Sequence, residues 1–320
     1  MTTHLLPYRV ENIGKTRIVH FLDPAALDLS VGFFRDTLNL AETPVSRHIV
    51  PVPTYLQSLA PSADVPPPII IFHIARCGST LLCQNLKATG QFIVLGEPGF
   101  INKTIADTTM PSVERAALVR CMIRQWADWA HLNGKRLVIK LSSSINGLVA
   151  GAIDILGPAT LIGLYRDPGP VLESLVRKPP GHLEREHQRQ AELSKSTLAA
   201  RIEAVPDTAI ITEDVKRKAG YLAISLEAMQ HVKKAGGHML DYHELASSFD
   251  TLVKMLMPAV TNRSCNITWN DKWAAKSRVP KKKSYQPVAP ALLGRFADDH
   301  EPVLDVLTPA YEKLRACSVF

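Results

Sequence analysis

The sequence predicts an α/β fold in which a mainly parallel sheet carries helices on both faces. Three observations lead there. Short apolar runs rich in β-branched residues recur along the chain, stretches with helical periodicity separate them, and glycine or proline closes most of them. Strands that alternate with helices have long enough connections to run parallel, and a parallel sheet needs both faces covered.

In chain order, the first 65 residues read as an N-terminal extension of unknown role, in which Pro24 to Leu38 is expected to form an amphipathic helix. The Pro-rich stretch Pro61 to Pro68 breaks regular structure and marks the expected boundary, with one domain over residues 66–320. Ile69 to His73 is the first strand of that domain. A small-residue loop and a helix from Ser79 to Thr89 follow it, and Gly90 stops the helix. Further strands are expected at Phe92 to Leu95, Leu137 to Leu141 and Thr160 to Tyr165, with helices at Val113 to His131 and Leu148 to Leu156. Gly181 to Lys218 is charged and helix-prone, and its run His182 to Arg189 reads as a solvated helix. Tyr221 to Lys234 is an amphipathic helix that Gly236 and Gly237 end, and a short strand from His238 to Tyr242 comes next. A basic stretch, Ser277 to Tyr285, and a closing helix from Ala289 to Ala316 complete the chain, which shows no internal repeat.

Composition narrows the partners. With 320 residues, 46% of them hydrophobic, the chain can bury one sizeable core. A net charge of +7 points to anionic partners, while 6% aromatic content and scattered Lys and Arg argue against a nucleic-acid surface. A small phosphorylated molecule suits that balance. Five cysteines without C-x-x-C spacing indicate neither a disulfide framework nor a zinc site, so a reducing, cytoplasmic setting is expected. No apolar run approaches the roughly 18 residues of a membrane span, and Met1 to Asp23 lacks the pattern of a signal peptide.

Two segments carry chemistry. Ile74-Ala75-Arg76-Cys77-Gly78-Ser79-Thr80 lies between a buried strand and a helix, where backbone N–H groups and the helix N-terminus form an anion site. Gly78 permits close approach, Ser79 and Thr80 offer hydroxyls, and Arg76 supplies charge. No lysine precedes the hydroxyls, and His73 stands where a nucleoside-triphosphate loop has its first glycine, so a magnesium–triphosphate ligand is disfavoured. The residues alone also fit an ordinary strand-to-helix turn. The second segment, Arg166-Asp167-Pro168-Gly169-Pro170 through Ser174, follows another strand. Its prolines suit a first helical turn, and an Arg at a strand end can share one phosphate with a Ser on the next helix. A surface Arg pairing with Asp167 is the plainer alternative.

Taken together, these segments resemble the two phosphate sites of sulfotransferases that use 3′-phosphoadenosine-5′-phosphosulfate (PAPS). The first resembles that family's 5′-phosphosulfate loop, Pro-Lys/Arg-Ser-Gly-Thr-Thr, with Ala75 and Cys77 as departures. The second resembles its Arg…Ser pair for the 3′-phosphate, with the same separation of eight residues. Met239 to Leu245 resembles a late strand end of the family, and Ala275 to Tyr285 occupies the place of its last donor-binding loop, where Ser277 falls. The likeness spans about Pro68 to Tyr285. It implies a P-loop-type fold and no metal, with Arg76, Cys77, Gly78, Ser79, Thr80, Arg166, Ser174, Lys178 and Ser277 around the donor. It also implies a sulfonate acceptor that is a small molecule or a polymer. Lys140 is expected to neutralise the leaving oxygen, beside Arg76. Glu97, 21 residues after Arg76, matches the general base of the protein-tyrosine branch. The cytosolic branch instead has a His two residues after the strand lysine, where Ser142 stands here. A P-loop small-molecule kinase and a non-catalytic nucleotide-binding module are the competing readings.

Overall fold

The structure, a computed structural model, describes residues 5–41, 48–58, 65–179, 195–257, 269–270 and 296–316. Five strands form the central sheet: β4 (Ile69–His73), β5 (Phe92–Gly96), β6 (Arg136–Lys140), β7 (Thr160–Tyr165) and β8 (His238–Asp241). Their order is β5-β6-β4-β7-β8 and every pairing is parallel. Every residue of β4 and β5 is buried, so both faces are covered, which their unbroken apolar sequences require. From β4 the chain crosses to one side of the sheet, and from β7 it continues to the other. The strands β4 and β7 lie side by side and the chain leaves their carboxyl ends in opposite directions, which makes a switch point, where such sheets bind ligands.

The flanking helices are α3 (Ser79–Ala88), α4 (Gly99–Ile105), α5 (Ser112–Leu132), α6 (Val149–Leu156) and α7 (Pro168–Val176), then α8 (Thr197–Glu203), α9 (Glu213–Lys234), α10 (Leu245–Leu256) and α11 (Glu301–Arg315). None of the described helices is long and apolar enough to cross a membrane. The helix expected from Tyr221 begins two turns earlier, at Glu213, inside the stretch that reads as charged and solvated. Thr212 caps it by accepting the Val215 N–H, and Glu213 and Asp214 complement its dipole. Lys218 is buried there, donating to Asp214 at 2.6 Å and to the Lys178 carbonyl at 2.9 Å, so this charge belongs to an internal pair. The run His182 to Arg189 and the basic stretch Ser277 to Tyr285 lie outside the described residues.

The first 57 residues hold more structure than a single helix. Strands β1 (Leu6–Ile13), β2 (Thr16–Leu22) and β3 (His48–Pro51) form an antiparallel sheet, with short helices α1 (Phe34–Leu40) and α2 (Val52–Gln57). Leu6, Val19 and Phe21 join the same core as the central sheet, and the buried Trp126 of α5 donates its indole N–H to the Pro7 carbonyl at 2.8 Å. The helix expected from Pro24 to Leu38 is broken. Pro24–Ala26 makes one 3₁₀ turn, the Asp28 carboxylate accepts the Ser30 N–H in a second turn, and Phe33 is extended before α1 starts. The Asp and Ser side chains compete with the helical ladder, and the chain follows them.

Candidate active site

Each strand of the central sheet ends in a residue that meets the others at one edge. After β4, Arg76 has φ +62° and Gly78 has φ +83°, which bends the loop so that Gly78 caps α3. A side chain at 78 would strike the Tyr242 ring at 2.5 Å, so the loop is glycine there for space as well as for φ. Tyr242, just past β8, thus covers the loop. Its ring also stacks on the Arg166 guanidinium, 4.2 Å from ring centre to carbon. Cys77 is fully buried, and burial pushes its thiol up to about 12, so this residue offers the edge its backbone only. Ser79 and Thr80 open the first turn of α3.

Arg166 follows β7. It reaches the Arg76 carbonyl at 3.4 Å, while its buried Nε has no hydrogen-bond partner among the described residues. Asp167 caps α7 by accepting the Gly169 N–H at 2.8 Å, with Pro168 in the first turn. The carboxylate is therefore used within the helix start, as a capping residue is. Ser174 accepts the Arg76 Nε–H at 2.9 Å. The residues expected at opposite ends of a donor are thus in direct contact. Arg76 belongs to the loop by its backbone and to the α7 side by its side chain, a consequence of its left-handed conformation. Lys178 stands one turn beyond Ser174, and Arg177 pairs with Glu173 at 2.5 Å. Ser277 lies outside the described residues.

The third part of the edge is an ion pair. Gly96 and Lys140 are register partners at the ends of β5 and β6. Lys140 is fully buried and donates to Glu97 at 2.7 Å, with Thr80 Oγ1 3.4 Å away and the Phe33 ring centre at 4.8 Å. Glu97 has φ +52°, and its N–H donates to the Lys140 carbonyl at 2.7 Å. Among the described residues only Arg76, Glu97 and Lys195 combine a side chain with positive φ, and two of these three are at this edge. Burial works to raise the Glu97 pKa, but Lys140, by its charge and its hydrogen bond, and then Arg35 hold it below the ordinary glutamate value. Its carboxylate is ionised at neutral pH. His73, 3.9 Å from Glu97, is pulled down to about 4 by burial and then by Lys140, so its ring is neutral. Its two nitrogens face the carbonyls of Ile74 and Leu141 at 2.8 and 3.0 Å. Ser142 occupies its N–H on the Asn102 side chain at 3.1 Å.

The structure therefore gathers Arg76, Gly78, Ser79, Thr80, Glu97, Lys140, Arg166 and Ser174 at one sheet edge. Sequence reasoning missed two members. Tyr242 sits in a stretch that reads as structural, where a tyrosine directly after a strand was the available signal. Phe33 comes from a segment with no motif at all. Among the described residues no group of three or more His, Cys, Asp and Glu is placed to hold a metal ion.

No protein-family model matches the chain, and no curated protein matches it in sequence. Solved structures do. A sulfotransferase domain from the curacin biosynthetic pathway is similar at 13% identity, over 75% of this chain and 99% of that one, with a TM-score of 0.33. A sulfotransferase domain from the Synechococcus PCC 7002 olefin synthase is similar at 13% identity, over 77% and 96%, with a TM-score of 0.36. A sulfotransferase from Alicyclobacillus acidocaldarius is similar at 15% identity, over 77% and 97%, with a TM-score of 0.37.

Proposed function

We propose that the chain is a sulfotransferase that moves a sulfonate group from PAPS to a hydroxyl or amine of an acceptor. The observation that carries this reading is the convergence, at the β4–β7 switch point, of a glycine-bent anion loop with a second cationic centre and an ion pair of buried Lys140 with half-buried Glu97. A single phosphate loop fits many nucleotides, whereas two anion sites on neighbouring strand ends suit a ligand phosphorylated at both 3′ and 5′ positions. The residues fit such a donor. Among the described residues the buried Arg166 Nε–H has no partner, and a buried donor of this kind calls for an acceptor oxygen. Arg166 and Ser174 would hold the 3′-phosphate, while the loop amides from Cys77 to Thr80 and the N-terminus of α3 would hold the 5′ side, with Arg76 between them.

Catalysis then rests on positioning and charge. Bound PAPS supplies an activated sulfonate. Glu97 takes the proton of the acceptor, whose oxygen or nitrogen is a poor nucleophile while protonated. Lys140 lies 2.7 Å from Glu97, so the charge that neutralises the leaving oxygen and the carboxylate that takes the proton are adjacent. In the free chain the Lys140 partner helps to keep the Glu97 carboxylate ionised.

Calorimetry with adenosine 3′,5′-bisphosphate, adenosine 5′-monophosphate and ATP–magnesium tests the reading. The bisphosphate is expected to bind far better than the monophosphate. Arg166→Ala should weaken it by at least about tenfold, since a hydrogen bond to a charged group is worth about 1.5–3 kcal/mol. Equal affinity for bisphosphate and monophosphate overturns the second phosphate site, and preference for ATP–magnesium points to a kinase.

A further inference from the structure

Residues 31–35 precede the segment that carries every motif, yet they reach the Glu97–Lys140 pair. Lys87 donates to the Val31 carbonyl. The Gly32 carbonyl fills the space beside Gly96, where an added Cβ would lie 2.1 Å from it. Arg35 acts on Glu97 through its charge. Phe34 fixes the segment, being buried against Phe100 and Trp126 with ring centres 5.5 and 5.7 Å away. The extended backbone of Phe33, at φ −122° and ψ 139°, sends its own ring elsewhere, over Lys140 with the ammonium 4.8 Å from the ring centre. An ammonium in a dry site is attracted to a ring face more strongly than one in water.

We propose that Phe33 is a positioning residue of the active site. Its ring holds the Lys140 ammonium toward Glu97 and Thr80 and keeps water from the pair, which makes residues 31–35 part of the catalytic machinery. The assignment rests on the sulfotransferase reading above. Among the described residues the titratable groups near the pair include His73 from β4, Arg35 from the segment itself, Cys77 in the loop, and Cys83 and Lys87 on α3.

The test uses the full chain with Phe33→Leu, which keeps an apolar side chain without a π face, and Phe33→Tyr, which keeps the face. The readouts are adenosine 3′,5′-bisphosphate affinity and the breakdown of saturating PAPS with water as the acceptor. In that breakdown the bond between sulfur and the bridging oxygen breaks as a water oxygen bonds to sulfur. The products are sulfate and adenosine 3′,5′-bisphosphate, with both protons of the water released to solvent. Phe33→Leu is expected to lower kcat by about five- to thirtyfold, the worth of a desolvated cation–π contact, with nucleotide affinity within about twofold. Phe33→Tyr is expected to stay within about threefold of the natural chain by the same principle. Rates for Phe33→Leu equal to those of the natural chain overturn the proposal, as does an equal loss in both variants, which marks the ring as packing alone. Bisphosphate binding without any PAPS breakdown by the natural chain also overturns it. Absence of bisphosphate binding instead removes the functional reading, and the positioning role falls with it.

Discussion

Replacing Glu97 by Gln separates the roles of this residue. The amide keeps the shape and an oxygen for Lys140, but it cannot take a proton, and it leaves a fully buried ammonium without a countercharge. Loss of general-base catalysis is worth about 10²–10⁴-fold in turnover. Because the amide oxygen still accepts a hydrogen bond, the stability cost should approach that of one hydrogen bond to a charged group, about 1.5–3 kcal/mol. That is less than the 3–5 kcal/mol, roughly, expected when a buried charge loses its partner outright, as with Glu97→Ala. Nucleotide affinity should change little, since Glu97 stands at β5, away from Arg166 and Ser174. The sign of the pH effect follows from the lowered pKa. The stabilising contribution of the ionised carboxylate is present above its unfolded value and is lost as pH falls through the lower folded value. The natural chain should therefore keep Glu97 charged across the neutral range, and Glu97→Gln should lose this residue's share of the acidic limb, with Asp28 and Asp107 still contributing theirs. The assays are thermal unfolding against pH, bisphosphate calorimetry, and PAPS turnover with an acceptor panel. Near-normal turnover by a folded, nucleotide-binding Glu97→Gln would refute the assignment. It would leave His73 as the remaining described candidate, although both its nitrogens already face carbonyls.

Other expectations follow from the same geometry. Gly96→Ala should displace residues 32–33, because the new methyl meets backbone, and should lower turnover more than nucleotide affinity in paired kinetic and calorimetric measurements. Tyr311→Phe should destabilise the fold by about 1–3 kcal/mol in denaturant unfolding, since it leaves the buried Asp241 carboxylate without its 2.8 Å donor. Activity should be unchanged by EDTA, because the cations at this edge are side chains; a loss restored by magnesium would favour phosphoryl transfer.

Much of the central sheet was legible because its strands are apolar on both faces and its helices stop at glycine. Ile69 to His73 and Thr160 to Tyr165 match β4 and β7 residue for residue. Gly90 ends α3 with φ +72°, the conformation that a glycine stop implies. The N-terminal region was not legible. Its strands β1 and β2 carry Arg9, Glu11, Asn12, Arg17 and His20 among their apolar residues, and β3 is only four residues long. β1 packs on α4 and α5, and α2 joins β2 and β3 to α5, contacts that no local window of sequence contains. The site divides in the same way. Arg166, Asp167, Pro168 and Ser174 lie within nine residues and read as one motif. The Lys140–Glu97 pair spans 43 residues and the Phe33 contact spans more, so their closeness depends on the strand order. The direct bond from Arg76 to Ser174 depends on a backbone φ that a motif does not specify.

That φ has a further consequence. Glycine enters the left-handed region freely, while a residue with a Cβ resists it by about 1–2 kcal/mol. At position 76 glycine would relieve that torsion and lose the guanidinium, whereas at position 97 it would also leave the buried Lys140 without its partner, a larger cost than the torsion. Arg76→Gly should thus relax the loop while removing its hydrogen bond to Ser174, a trade between ease of backbone and side-chain chemistry set by one torsion angle.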